Sequence, residues 1–102
     1  MAAEYYLHFN QDVFGINEFI EFAKSLTSYS RIEDGAIIFC DPETKKNYGD
    51  IYIYYQKQPV LMIVYAHSRK IENDIMLLRN AVERKTSIKI LDDDGVPSWG
   101  TV

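Results

Sequence analysis

Cysteine is nearly absent: Cys40 stands alone, so no disulfide can close within the chain, and a reducing compartment is the expectation. Inside "AIIFC" that thiol is expected to be a small buried hydrophobe rather than a nucleophile. Long apolar runs are missing too. The longest, 60–66, has seven residues, where a membrane span needs about 20. The opening "MAAEYYLHFNQD" carries neither the basic segment nor the apolar stretch of a secretory signal. A cytoplasmic protein is expected. Bases are outnumbered, with eleven Lys and Arg against fifteen Asp and Glu, and the net charge of −4 argues against a nucleic-acid backbone or an anionic membrane as partner. Histidine is limited to His8 and His67, and there is neither a phosphate-cradling glycine loop nor a nucleophile motif. Neither catalysis nor a cofactor is expected.

What is present is an ordinary globular composition, 47% hydrophobic and 25% charged, in 102 residues, enough for one domain over 1–102 with an acidic tail at 92–102. "YYLHFN" (5–10) reads as a strand. Ile16, Phe19, Ile20, Ala23 and Leu26 then recur at helical spacing, with Asn17 placed to cap that helix. The "DG" at 34–35 introduces a second strand, 36–40, which Pro42 ends. Residues 43–49 form a polar loop. "DIYIYYQ" and "VLMIVYA" are two further strands. Ser68 is placed to cap a second helix with its stripe at Ile71, Ile75, Leu78 and Val82, and "SIKIL" is the last strand. The order β-α-β-β-β-α-β predicts an α+β two-layer sandwich, a mixed five-stranded sheet with two helices on one face. Its expected core joins Phe19, Ile20, Ala23, Ile71, Ile75, Leu78 and Val82 to Ile37, Phe39, Ile51, Ile53 and Ile63.

This order carries the acidic residues with it. Helical crossovers join parallel strands and short turns join antiparallel ones. One sheet edge is then expected to gather Asp12, Asp41, Glu43, Asp50, Glu72, Asp74, Asp92, Asp93 and Asp94, against the bases Lys45, Lys46, Arg69 and Lys70. Nine acids against four bases leave −5 on that rim. The run "ILDDDGVPSW" (90–99) puts three adjacent carboxylates in it. A calcium-binding loop of EF-hand type with Gly95 at its turn would need an acid at Ile90 and a glutamate at Thr101, and a transition-metal site would want more histidine, so no metal is expected. A solvated turn is one reading of the triplet, and a surface shaped to meet positive charge is the other. On the second reading the partner-binding set is Asp92, Asp93, Asp94, Asp41, Glu43, Asp50, Tyr48 and Asp74.

Eight tyrosines suggest a further surface. If Ile51 and Ile53 face the helices, Tyr52 and Tyr54 lie on the opposite sheet face, with Tyr6 and His8 beside them. Strands favour tyrosine in any case. A homodimer through this face, or a foreign partner on it, would use the same residues as a second binding surface.

The small size, the acidity and the alternation of elements resemble the small cytoplasmic immunity proteins of bacterial contact-dependent growth inhibition and other polymorphic toxin systems. The resemblance lies in architecture and charge along the whole chain, with no signature motif. It implies an inhibitor that binds a cognate toxin domain, usually a cationic nuclease, and masks it with acidic side chains. The alternatives are a homodimeric regulatory or structural module built on the tyrosine face, and a small enzyme or ligand binder using His67 with the rim carboxylates.

Overall fold

The computed structural model describes residues 2–44 and 48–100. Eight elements follow one another: β1 (Ala3–Phe9), α1 (Ile16–Lys24), β2 (Tyr29–Glu33), β3 (Ala36–Phe39), β4 (Ile51–Tyr54), β5 (Val60–Val64), α2 (Arg69–Glu83) and β6 (Ile88–Asp92). The fold is α+β as expected, but the sheet has six strands, in the order β2-β3-β4-β5-β1-β6, and every neighbouring pair is antiparallel. The expected mixed, five-stranded sheet is thereby corrected. The additional strand is β2, in "YSRIE". Asp34 and Gly35, both at positive φ (52° and 78°), are the two central residues of a tight hairpin joining it to β3. Such a turn needs a strand on each side, because its backbone twist matches that of a paired ribbon.

Alternation decides which side of the sheet is buried. Leu7, Ile37, Phe39, Ile51, Ile53, Val60, Met62, Val64, Ile88 and Ile90 share one face, and they form a single cluster with Phe19 and Ala23 of α1 and with Ile71, Ile75, Leu78, Ala81 and Val82 of α2. Both helices therefore cover that face. Ile20 is half-buried at the border of the cluster. Ile63 is corrected out of the core. It pairs with Tyr52 and Glu4 on the opposite face and is only half-buried, while its neighbours Met62 and Val64 point inward.

The helix ends follow local chemistry, with one correction. Ser68 caps α2, its hydroxyl accepting the Ile71 N–H at 3.3 Å. In α1 the cap position is Gly15, with no side-chain cap, and Asn17 lies inside the first turn. The Lys85 ammonium after α2 pairs with Glu18 at the start of α1, and this hydrogen bond holds the Glu18 carboxyl below the usual carboxylate range. Cys40 is half-buried, its thiol 3.8 Å from the Tyr48 carbonyl oxygen. Among the described residues, no helix is long and apolar enough to cross a membrane.

Candidate functional site: an acidic hairpin beside an open sheet face

The strand directions collect most of the acids at one edge. The ends of β3, β5 and β6 and the starts of β1, β2 and β4 all lie there, because Tyr5 pairs with Asp92, Ala3 with Val64, Ile51 with Val64, and Phe39 with both Ile51 and Tyr29. Asp12 is the exception. It follows the far end of β1, where Phe9 pairs with Ile88, so it belongs to the opposite edge and Glu4 takes its place. Lys45 and Lys46, counted among the rim bases, lie outside the described residues, as do Thr101 and Val102 of the tail.

Position at this edge does not mean exposure. Asp50 is 2% exposed and Asp74 is 4% exposed, so neither carboxylate lies on the surface where partner binding would use it. Asp50 accepts the Asp41 N–H at 2.9 Å, and its backbone bonds to Phe39 and to Tyr65, which ties the loop after β3 to β4 and β5. Asp74 accepts the Ser28 N–H at 2.8 Å, the Ser28 hydroxyl at 2.6 Å and the Thr27 hydroxyl at 3.2 Å, fastening α2 to the start of β2. A buried carboxylate is tolerated when donors surround it, and three converge here.

The remaining acids divide by their partners. Glu43 pairs with Lys70 and Glu72 with His67, at 3.0 and 2.9 Å, in exposed contacts of small energetic weight. Asp41 is half-buried and accepts the Glu43 N–H at 2.9 Å; Tyr48 beside it is exposed. Asp92, also half-buried, accepts the N–H groups of Asp94 (2.9 Å) and Val96 (2.8 Å) through one oxygen. Its carboxylate thus shapes the turn that the triplet occupies. The chain reverses there: the Asp92 N–H bonds to the Val96 carbonyl, the Ser98 N–H bonds to the Ile90 carbonyl, and Leu91 faces Pro97. The tail therefore lies along the outer edge of β6 and covers backbone groups that an edge strand would otherwise leave open. Asp93 and Asp94 stand exposed at the tip with no ion-pair partner among the described residues. One oxygen from each of the three carboxylates lies within 4.8 Å of the others, a clustering common on surfaces that hold no ion.

Trp99 folds back behind this turn. Its indole stacks on the His67 ring (centroids 5.6 Å apart, 17° between planes) and meets Tyr5 edge-on at 5.7 Å. The residue sits at φ 55°, an unusual position for a bulky side chain, and the two ring contacts hold it there. Trp99 is the sole tryptophan, so its fluorescence reports this contact directly. Emission of the native protein is expected to lie to the blue of free indole and to shift red on unfolding in denaturant. An unchanged spectrum across the transition would place Trp99 in water.

The face away from the helices carries Tyr6, Tyr52 and Tyr54 as read from the sequence, all half-buried. Tyr52 is engaged locally. Its hydroxyl accepts the Gly49 N–H at 2.9 Å, and its ring meets Tyr65 edge-on at 5.5 Å. A side chain at Gly49 would meet Ile38 Cγ2 at 2.3 Å, so glycine lets the loop close over Ile38, which is buried on this otherwise open face. Across the neighbouring strands runs a row of paired residues, Tyr54, Leu61, Tyr6 and Leu91. The Tyr6 hydroxyl donates to Glu4 at 3.1 Å; that bond, partial burial and the charges of Glu4 and Asp93 raise its pKa above the ordinary tyrosine value. Asp93 thus stands close to Tyr6, and the acidic hairpin and the tyrosine face form one continuous surface. From the sequence they read as two separate surfaces. The signal that joins them is the side-chain alternation on β6, which turns Leu91 and Asp93 to the same face.

No protein-family model matches this chain, and no curated protein or solved structure matches it.

Proposed function

We propose that this protein is an immunity protein: it binds a cationic toxin domain, of nuclease type, in the cytoplasm and neutralises it through its acidic edge. The observation that carries this reading is the hairpin tip, where Asp93 and Asp94 project beside Glu4 without cationic partners among the described residues, on a chain whose net charge is −4. Unneutralised carboxylates on a rigid turn create a field that attracts a phosphate-binding surface and substitutes for the phosphates it holds. Two kinds of support surround them. The Asp92 side chain fixes the turn, so the two charges are presented in one geometry and little ordering is lost on binding. Asp41, Glu43 and Tyr48 extend the surface along the same edge, while Asp50 and Asp74 act from beneath it as structural carboxylates.

The test is co-purification with candidate cationic toxin domains of nuclease type, followed by association kinetics at low and high salt. Changing Asp93 and Asp94 to Asn, and leaving Asp92 intact to preserve the turn, is expected to slow association about tenfold or more at low salt, within the span that electrostatic steering commands. The salt dependence should flatten with it. Association that is unchanged at both salts, in a folded variant, would remove the hairpin from the interface.

A further inference from the structure

We propose that the open sheet face is a self-complementary surface that pairs two copies of this chain about a twofold axis running across the strands, along the row Tyr54–Leu61–Tyr6–Leu91. The inference rests on what flanks that row. On the open face, β1 presents Glu4, Tyr6 and His8 in succession, and β6 presents Lys89, Leu91 and then Asp93. Tyr6 pairs with Leu91 and His8 with Lys89. Each strand therefore has its apolar residue in the middle, an acid two residues to one side and a basic or hydrogen-bonding residue two residues to the other. Both acids lie towards the hairpin edge, and His8 and Lys89 lie towards the opposite one.

Charge then selects the symmetry. A twofold along the strands would bring the acidic ends of the two copies together and is disfavoured by repulsion. A twofold along the row exchanges the ends. Lys89 of one copy then faces Asp93 of its mate, and His8 faces Glu4, with each contact made twice. Tyr54, Leu61, Tyr6 and Leu91 meet their own counterparts at the axis, as an isologous contact requires. The arrangement is also sterically ordinary: strands of the two copies run antiparallel across the interface, in the aligned class in which facing sheets pack about 10 Å apart. Among the described residues of a single copy, neither Lys89 nor Asp93 has an ion-pair partner, so association neutralises charges that these contacts leave uncompensated.

Sedimentation equilibrium of the full chain, from about 1 µM to about 1 mM, covers the affinity range of a weak, reversible dimer. The mass is expected to rise from one chain to two across that range. Lys89→Glu, an exposed substitution that leaves the fold intact, places like charges opposite each other twice and is expected to weaken association at least ~tenfold. Combining it with Asp93→Lys restores opposite charges in exchanged positions and is expected to recover most of the loss. A single-chain mass throughout would overturn the proposal. So would a dimer indifferent to Lys89→Glu, or a double exchange as impaired as the single one.

Discussion

Asp74→Ala is expected to cost about 2–5 kcal/mol of stability, although it removes a charged side chain from a helix. The Ser28 N–H and hydroxyl both end on this carboxylate, and Ser28 is itself 1% exposed. Alanine would leave both donors buried with nothing to donate to, at about 1–3 kcal/mol each. It would also detach the start of β2, an edge strand with few other anchors, from α2. Asp74→Asn keeps one oxygen in place and is expected to lose roughly half as much, since hydrogen bonds to a neutral acceptor are weaker than those to a carboxylate. Urea unfolding at constant m-value reads both changes. Combining Asp74→Ala with Ser28→Ala in a cycle isolates the shared term, because the two mutations remove ends of the same bond. An Asp74→Ala variant as stable as Lys24→Ala, an exposed site on α1, would mean that Asp74 does not hold the two elements together.

Asp74 also marks where the sequence was legible and where it was under-read. Its neighbours Ile71, Ile75 and Leu78 announce a buried helical stripe, and position 74 falls on that same stripe at i+3. An acid inside an apolar stripe must be satisfied by buried donors, a signal that sequence reading alone can use. The helix stripes themselves were readable because period 3.6 repeats over several turns. β2 was not, for a physical reason. Tyr29–Glu33 is a short edge strand with a register shift between Tyr29 and Arg31, so its residues are mixed and half-exposed rather than alternating. The tight turn at Asp34 and Gly35 was the surviving clue, since a two-residue hairpin implies a strand before it as well as after.

That one omission explains the misplaced Asp12. Both helical crossovers do join strands that point the same way, β1 with β2 and β5 with β6, as the chain of antiparallel pairs requires. Without β2, a crossover from β1 leads straight into β3 and makes those two strands parallel, which puts the far end of β1 at the edge where β3 ends. The rest of the acidic edge does not depend on β2, because it follows from the connections of β3 through β6, which the sequence pattern and the structure share. The burial of Asp50, unlike that of Asp74, has no signal in the sequence, as Asp50 and Asp93 look alike until their donors are located.

A large effect is expected in the core at Leu78, and pairing it with Ile63 tests which side of the sheet is covered. Leu78 is 1% exposed in α2, and Leu78→Ala is expected to cost about 2–5 kcal/mol through lost transfer energy and the cavity left behind. Ile63 is as apolar and sits mid-strand between Met62 and Val64, in a run with no alternation to reveal its side. Its register with Tyr52 and Glu4 puts it on the open face. Because its side chain is only partly buried, Ile63→Ala is expected to cost clearly less, about 1 kcal/mol, in dilute protein where each chain stands alone. Lys24→Ala supplies the surface baseline, below ~0.5 kcal/mol. The ordering Leu78, Ile63, Lys24 follows only if both helices lie on one side and nothing covers the other. A cost at Ile63 equal to that at Leu78 in dilute protein would mean the second face is buried within the single chain, leaving no open sheet face for a second copy.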